Sequence, residues 1–289
     1  MNAPSPKQNI VPAKTSTIGR LLLDNGKITA KDAARIMELQ TRKNLRFGQA
    51  AIKLGLVTKH DIMQALALQF DYSCLNPGDS GLSAEVISAY APFTPQAERL
   101  RELRSQLMLR WFDGGPKALA LVGATAGEGV SHLAANLAVG FSQLGERTLL
   151  IDANLREPRQ HSIFNISPGP GLSELLAGRA QPEATIIEVE ALAGLAVMPG
   201  GATPPNPSEL LARPAFRALL DDAYGNWSVI VIDTAPADSS ADFQTVAARA
   251  RGALLVTRQH QSRMRDLMRI REMLSTAGAK LLGGVINQF

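Results

Sequence analysis

The stretch from Ala118 to Ala138 constrains this chain more than any other. An apolar run, Ala118 to Val122, has the length and composition of a buried strand. A Gly-rich turn follows, and then small apolar residues at helical spacing. Strand, turn and helix in that order are the setting of a phosphate-binding loop. Glycines let backbone N–H groups approach phosphate oxygens, and the helix N-terminus adds a favourable dipole. The pattern is Ala124-x-x-x-x-Gly129-Val130-Ser131. It follows the P-loop (Walker A) spacing, with Val130 in the place of the Lys. The candidate nucleotide-binding residues are Ala126, Gly127, Glu128, Gly129, Val130, Ser131 and His132. The hydroxyl of Ser131 is also a candidate Mg²⁺ ligand.

From Lys117 onward strands and helices alternate. Strands are expected at 118–122, 148–152, 195–198, 227–233, 252–257 and 281–287. Helices are expected near 131–144, 208–224, 241–250 and 262–277. The near-continuous apolar run ending at Asp233 is typical of a strand buried on both faces. Alternation of this kind predicts an α/β domain of P-loop NTPase type, a mostly parallel sheet with helices on both faces. Ligands in such folds bind at the carboxyl ends of strands. Asp152 and Asp233 each close an apolar strand there, and Arg156 follows Asp152 closely. One strand-end Asp reads as a cap or turn former. Two beside a P-loop read as a nucleotide and metal site.

The N-terminal part repeats itself. Ile18-Gly19, Leu22-Leu23, Gly26 and Ile28-Thr29 recur as Phe47-Gly48, Ala51-Ile52, Gly55 and Val57-Thr58. Each copy reads as two short helices, the second capped by Thr29 or Thr58. The expected organisation is a disordered leader at 1–16, an all-α repeat module at 17–72 and a linker at 73–95. The nucleotide-binding domain then fills 96–289. A helix near Gln96 carries Glu98-x-x-Arg101-x-x-Arg104 on one face, suited to intrahelical ion pairs or to a subunit contact.

Composition narrows the setting. The single Cys74 allows no disulfide within the chain and fits a reducing compartment. No run approaches a membrane-spanning length, and the first 16 residues lack the apolar core of a secretory signal. The chain reads as cytoplasmic. Its net charge of +4 comes without a long basic run, which suits a solvated surface better than a nucleic-acid site.

These motifs together resemble the bacterial tyrosine kinases of polysaccharide biosynthesis. The resemblance covers about residues 90–289. It rests on Gly127-Glu128-Gly129 with Ser131, and on Leu149 to Arg156 with Pro158 and His161. It also rests on Pro204 to Leu211 and on Val229 to Pro236. The subgroup it points to is the exopolysaccharide chain-length determinant kinases, which act beside a separate membrane co-polymerase. The resemblance implies ATP and Mg²⁺ as cofactors. Ser131 and Asp152 would hold the cation, and Asp233 would hold it through water. Asp152 would also help to deprotonate an acceptor tyrosine, with Arg156 as a further catalytic residue. Glu98, Arg101 and Arg104 would contact the next subunit of a homo-oligomeric ring. The protein would lie at the inner membrane through its co-polymerase partner. The repeat module resembles the N-terminal domain of secretion and pilus assembly ATPases, some of which bind cyclic di-GMP; Arg46 is the matching residue here.

The chain departs from the kinase pattern in three ways. Val130 replaces the Lys that contacts the β- and γ-phosphates. Asn154 replaces the second Asp of the Asp-x-Asp motif. The tyrosines of these 289 residues are Tyr72, Tyr90 and Tyr224, with no C-terminal cluster. Three readings stay open at this point: an autokinase or ATPase, a nucleotide-binding regulator without appreciable turnover, and an interaction module with an occluded loop.

Overall fold

The computed structural model describes residues 17–69, 75, 81–115 and 117–288. The expected leader, Tyr72, most of the Asn76–Gly81 turn cluster and Phe289 lie outside them. The chain divides into two compact units, Met1–Cys74 and Leu75–Phe289.

Among its described residues the first unit contains four helices, α1 (Ile18–Asp24), α2 (Ala30–Lys43), α3 (Phe47–Lys53) and α4 (Lys59–Gln69). The repeat is visible in its caps. Thr29 accepts from the Asp32 N–H at 3.2 Å, and the Thr29 N–H donates to the Asp32 carboxylate at 3.1 Å. Thr58 and Asp61 make the same pair of bonds at 3.2 and 2.8 Å. These are reciprocal capping boxes, each satisfying two N–H groups that a helix start leaves without partners. The two copies pack on each other, with α1 against α4 and α2 against α3. Leu22, Ile28 and Ile36 of one copy join Ala51, Val57 and Ile62 of the other in a single core.

Among its described residues the second unit is built on seven strands: β1 (Lys117–Gly123), β2 (Thr148–Asp152), β3 (Ile187–Glu188), β4 (Leu195–Met198), β5 (Val229–Asp233), β6 (Gly252–Arg258) and β7 (Lys280–Asn287). Their spatial order is β3-β4-β2-β5-β1-β6-β7, and every pairing is parallel except β3 with β4. Side chains alternate between two cores, one on each face. Ile230 and Ile232 of β5 enter one with Phe216 and Phe243, while Val229 and Val231 enter the other with Leu137 and Phe141. This two-residue period is the geometry of a strand buried on both sides. Six strands stand within two residues of their expected limits. The two-residue antiparallel β3 was not expected; it is too short to leave a sequence period.

Two expectations change. The single helix expected at 208–224 is two, Pro207–Ala212 and Pro214–Asn226. Pro214 lacks an N–H and pushes Arg213 out of the helical region, to ψ 148°. The segment 81–95, expected as linker, folds into the second unit. It carries α5 (Ile87–Tyr90) and leads into α6 (Pro95–Leu107), which precedes α7 (Val130–Gln143). Buried Asn136 of α7 ties it down, accepting from the Ser88 N–H at 2.9 Å and donating to the Glu85 carbonyl at 2.9 Å. Among the described residues no helix is long and apolar enough to cross a membrane.

Candidate nucleotide site

The loop after β1 has a demanding shape. Gly129 takes φ 88° as the N-cap of α7, a left-handed conformation that disfavours a side chain. A Cβ on Gly123 would stand 2.7 Å from a Val130 methyl and 2.9 Å from a Glu128 carboxylate oxygen, so the turn closes only around glycine. Glu128 is fully buried. Its carboxylate accepts from the Ala124 N–H at 2.5 Å, from Thr125 N–H at 3.3 Å and from the Ser262 hydroxyl. Glu128 therefore braces the loop from inside and ties it to the segment after β6. Ala126 and Gly127 are exposed. The Arg258 guanidinium donates to the Gly127 carbonyl at 3.3 Å, and the Asn287 amide at the end of β7 donates to the Glu128 carbonyl at 2.8 Å.

A cavity of about 820 Å³ opens over this loop and takes in residues 125–133. Its other walls come from α6, the end of β7 and the loops after β2 and β5. An occluded loop, the support for a plain interaction module, is not what the fold presents. Val130 lines the cavity but also packs against the core under α7 and β1. Arg99, Arg159 and Arg258 are the cations that line it. His132 lines it too, and burial pushes its imidazole down, towards the neutral form.

Beneath the loop, Asp152 and Asp233 end neighbouring strands in direct register, both with no exposed surface. Asp152 accepts three backbone N–H groups: Asn154 at 3.2 Å, Arg159 at 2.8 Å and Gln160 at 2.9 Å. The Gln160 amide donates to Asp233 at 2.8 Å and to the Ser131 carbonyl at 3.1 Å. Burial pushes Asp152 up, and the facing Asp233 charge pushes it further; its backbone donors only partly offset this. Burial also raises Asp233, with the Gln160 and Ser131 side chains pulling back. One oxygen of Asp233 and the Gln160 carbonyl oxygen are buried without a donor among the described residues. Two adjacent buried carboxylates, one with an orphaned oxygen, and the orphaned Gln160 carbonyl beside them suit a hard cation. Among the described residues no three His, Cys, Asp or Glu side chains cluster, so such a cation would draw on Ser131, phosphate oxygens and water.

Other expected residues lie elsewhere. Arg156 turns to Asp242, 2.9 Å away, and to Ser208 at 3.2 Å. It pins the loop after β2 and does not line the cavity. Asn154 accepts from the Glu157 N–H at 3.2 Å and shapes the same loop, while its side chain borders the cavity. On α6, Arg101 pairs with Glu98 within the helix and bonds the Pro92 carbonyl, and Arg104 donates to the Gly140 carbonyl at 3.0 Å. Arg46 is exposed at the start of α3. Sequence reasoning missed Gln160, the bracing role of Glu128 and the cations Arg99, Arg159 and Arg258. Asn287, at the carboxyl end of a predicted strand, was within reach of the strand-end rule.

A loop of this shape, at the end of a central parallel strand and above paired strand-end carboxylates, defines a P-loop nucleotide-binding protein. No protein-family model matches the chain. CapB of Staphylococcus aureus is 33% identical over 197 residues, covering 68% of this chain and 86% of CapB. Tyrosine-protein kinase YwqD of Bacillus subtilis is 32% identical over 208 residues, covering 72% and 87%. Tyrosine-protein kinase etk of Escherichia coli is 31% identical over 196 residues, 68% of this chain but 27% of etk. Among solved structures, the chimerical protein CapA2B2 superimposes with a TM-score of 0.67 at 31% identity, covering 78% of this chain and 97% of that one. The kinase domain of Escherichia coli ETK gives 0.68 at 30%, covering 70% and 79%. The cell division ATPase MinD of Pyrococcus furiosus shares the fold more distantly, at 0.52 and 25%, covering 59% and 71%. The chain belongs to the bacterial tyrosine kinase family of polysaccharide biosynthesis.

Proposed function

We propose that this protein binds ATP in the cavity over residues 125–133 and acts as a protein-tyrosine kinase-type regulator of exopolysaccharide chain length. The observation that carries this reading is the open, Glu128-braced loop above the buried Asp152–Asp233 pair. The backbone N–H groups at the start of α7 lack intrahelical acceptors and suit phosphate oxygens. Ser131 and Asp152 would hold Mg²⁺, with Asp233 reached through water. The cation would neutralise phosphate charge during phosphoryl transfer. Asp152, raised by burial, would accept the proton of a tyrosine hydroxyl. Arg156 would serve by holding its loop through Asp242 and Ser208.

A second reading, a nucleotide-binding regulator with little turnover, draws on Val130. An apolar side chain packed against the core brings no charge to the β- and γ-phosphates. Losing one preorganised charge-stabilising group lowers a rate by about 10²- to 10³-fold. Incubation with radiolabelled ATP and Mg²⁺ separates the two. If the wild type labels itself and Asp152→Ala does not, the kinase reading holds. If only Val130→Lys turns over, the regulator reading replaces it. Failure of every form to bind ATP would sink both.

The partners we propose follow from the family: a membrane polysaccharide co-polymerase at the inner membrane, and a homo-oligomeric ring through Glu98, Arg101 and Arg104. Ring formation needs α6 to exchange its internal bonds for intermolecular ones. Sedimentation of Arg101→Ala against the wild type tests it. Exposed Arg46 leaves room for cyclic di-GMP at the helical module, and calorimetry without heat on the full chain would remove that ligand.

A further inference from the structure

Gln160 touches every part of the proposed cation site. It opens the short helix Gln160–Ile163 and has no exposed surface. Its backbone N–H donates to Asp152 at 2.9 Å. Its side-chain Nε2 donates to Asp233 Oδ2 at 2.8 Å and to the Ser131 carbonyl at 3.1 Å. Those two acceptors fix the amide, because a reversed amide would press its carbonyl oxygen against two other oxygens. Oε1 is therefore held as an acceptor, and it has no donor among the described residues. Asp233 Oδ1 is in the same position. The two orphaned oxygens belong to groups joined by one hydrogen bond, and the same Nε2 also holds the Ser131 carbonyl.

A buried acceptor without a donor costs free energy until something donates to it or coordinates it. Two such oxygens, one of them on a buried carboxylate that faces a second, point to a hard divalent cation with its water shell. Mg²⁺ keeps several waters, and each bound water has protons to donate. We infer that Gln160 is a determinant of the cation site: its Oε1 accepts from a water of the cation, while its Nε2 holds Asp233 in position. This rests on the proposed Mg²⁺ site of Ser131, Asp152 and Asp233, and adds a neutral residue to it.

The test uses the full chain with ADP and titrated Mn²⁺, following the electron paramagnetic resonance signal of free Mn²⁺. Gln160→Leu removes donor and acceptor at similar volume. Gln160→Glu keeps an acceptor oxygen and loses the donor. Loss of a residue of this kind weakens metal affinity by about 10- to 100-fold. That loss is expected for Gln160→Leu, with Gln160→Glu at or above wild-type affinity. Leu affinity equal to the wild type overturns the inference, as does equal weakening by Leu and Glu, which would reduce Gln160 to a support for Asp233. Gln160→Met replaces the Leu variant if thermal melting shows the latter unfolded. Asp152→Ala is the separate control. If it leaves Mn²⁺ binding intact, the cation site itself is wrong, whatever Gln160 does.

Discussion

Val130 faces two ways, packing its methyls beside Gly123 and lining the cavity. Replacing it with Lys adds a positive charge next to open space. The expected result is a rise in ATP turnover of about 10²- to 10³-fold, measured as phosphate release. Asp152 and Asp233 carry a pH signature. Both have folded-state affinities for protons raised above the ordinary value of 3.8. Below that value the pair is protonated in both states and costs nothing. As pH rises from there towards the raised values, the unfolded chain loses its protons first, so the cation-free protein loses stability. Melting in EDTA from pH 4 to pH 8 should show a falling midpoint. Asp233→Asn should flatten the fall and melt higher than the wild type at pH 8, the two converging at pH 4. A midpoint that rises across this window for both would contradict the assignment. At this scale the sequence is uneven. The loop glycines, Ser131 and both Asp residues are legible because each has a local pattern. Gln160 is not, because its role exists only once the loop after β2 folds back under Ser131. The direction of Arg156 is equally hidden, since its partner Asp242 lies far along the chain.

The helical repeat puts the same cap twice, and one copy is tied to the other. Lys27 of the first copy bonds Asp61 of the second at 2.8 Å. Lys27 and then Thr58 hold the Asp61 carboxyl down to about 2. Its contribution is present above 3.8 and is lost as pH falls towards 2. Asp61→Ala removes a capping box and this bridge, at a cost of about 1–2 kcal/mol. Hydrogen exchange should show faster opening of α4 at neutral pH, and the difference from the wild type should fade near pH 2. Unchanged protection at neutral pH would refute it. Elements are where the sequence speaks most clearly. Thr and Asp three apart mark helix starts by local bonding, and apolar runs mark strands buried on both faces. The Pro214 break was also written in the chain, since proline disfavours a helical residue before it. Segment 81–95 was misplaced because its turn-forming composition says nothing of Asn136, which draws it onto α7.

Each unit has its own core, with Leu22, Ile36 and Ile62 in one and the two faces of the sheet in the other. Residues 75–289 alone should therefore fold and keep the ADP affinity of the full chain, measured by calorimetry; weaker binding would assign the helical unit a part in the site. The open edge of the sheet, β7, contrasts with the edge that β3 ends in two residues. The strand order also governs assembly. β1, which carries the phosphate loop, lies between β5 and β6. During synthesis it emerges early, but neither neighbour exists until the ribosome has passed Val229 and Gly252. Pairing across such a span is slow, because the entropy of closing a long loop precedes any reward. The hydrophobic β1 must stay guarded until the later half arrives. The phosphate loop thus waits on residues far downstream: a nascent chain halted before Gly252 has its P-loop sequence in full but lacks one of the two strands that flank β1.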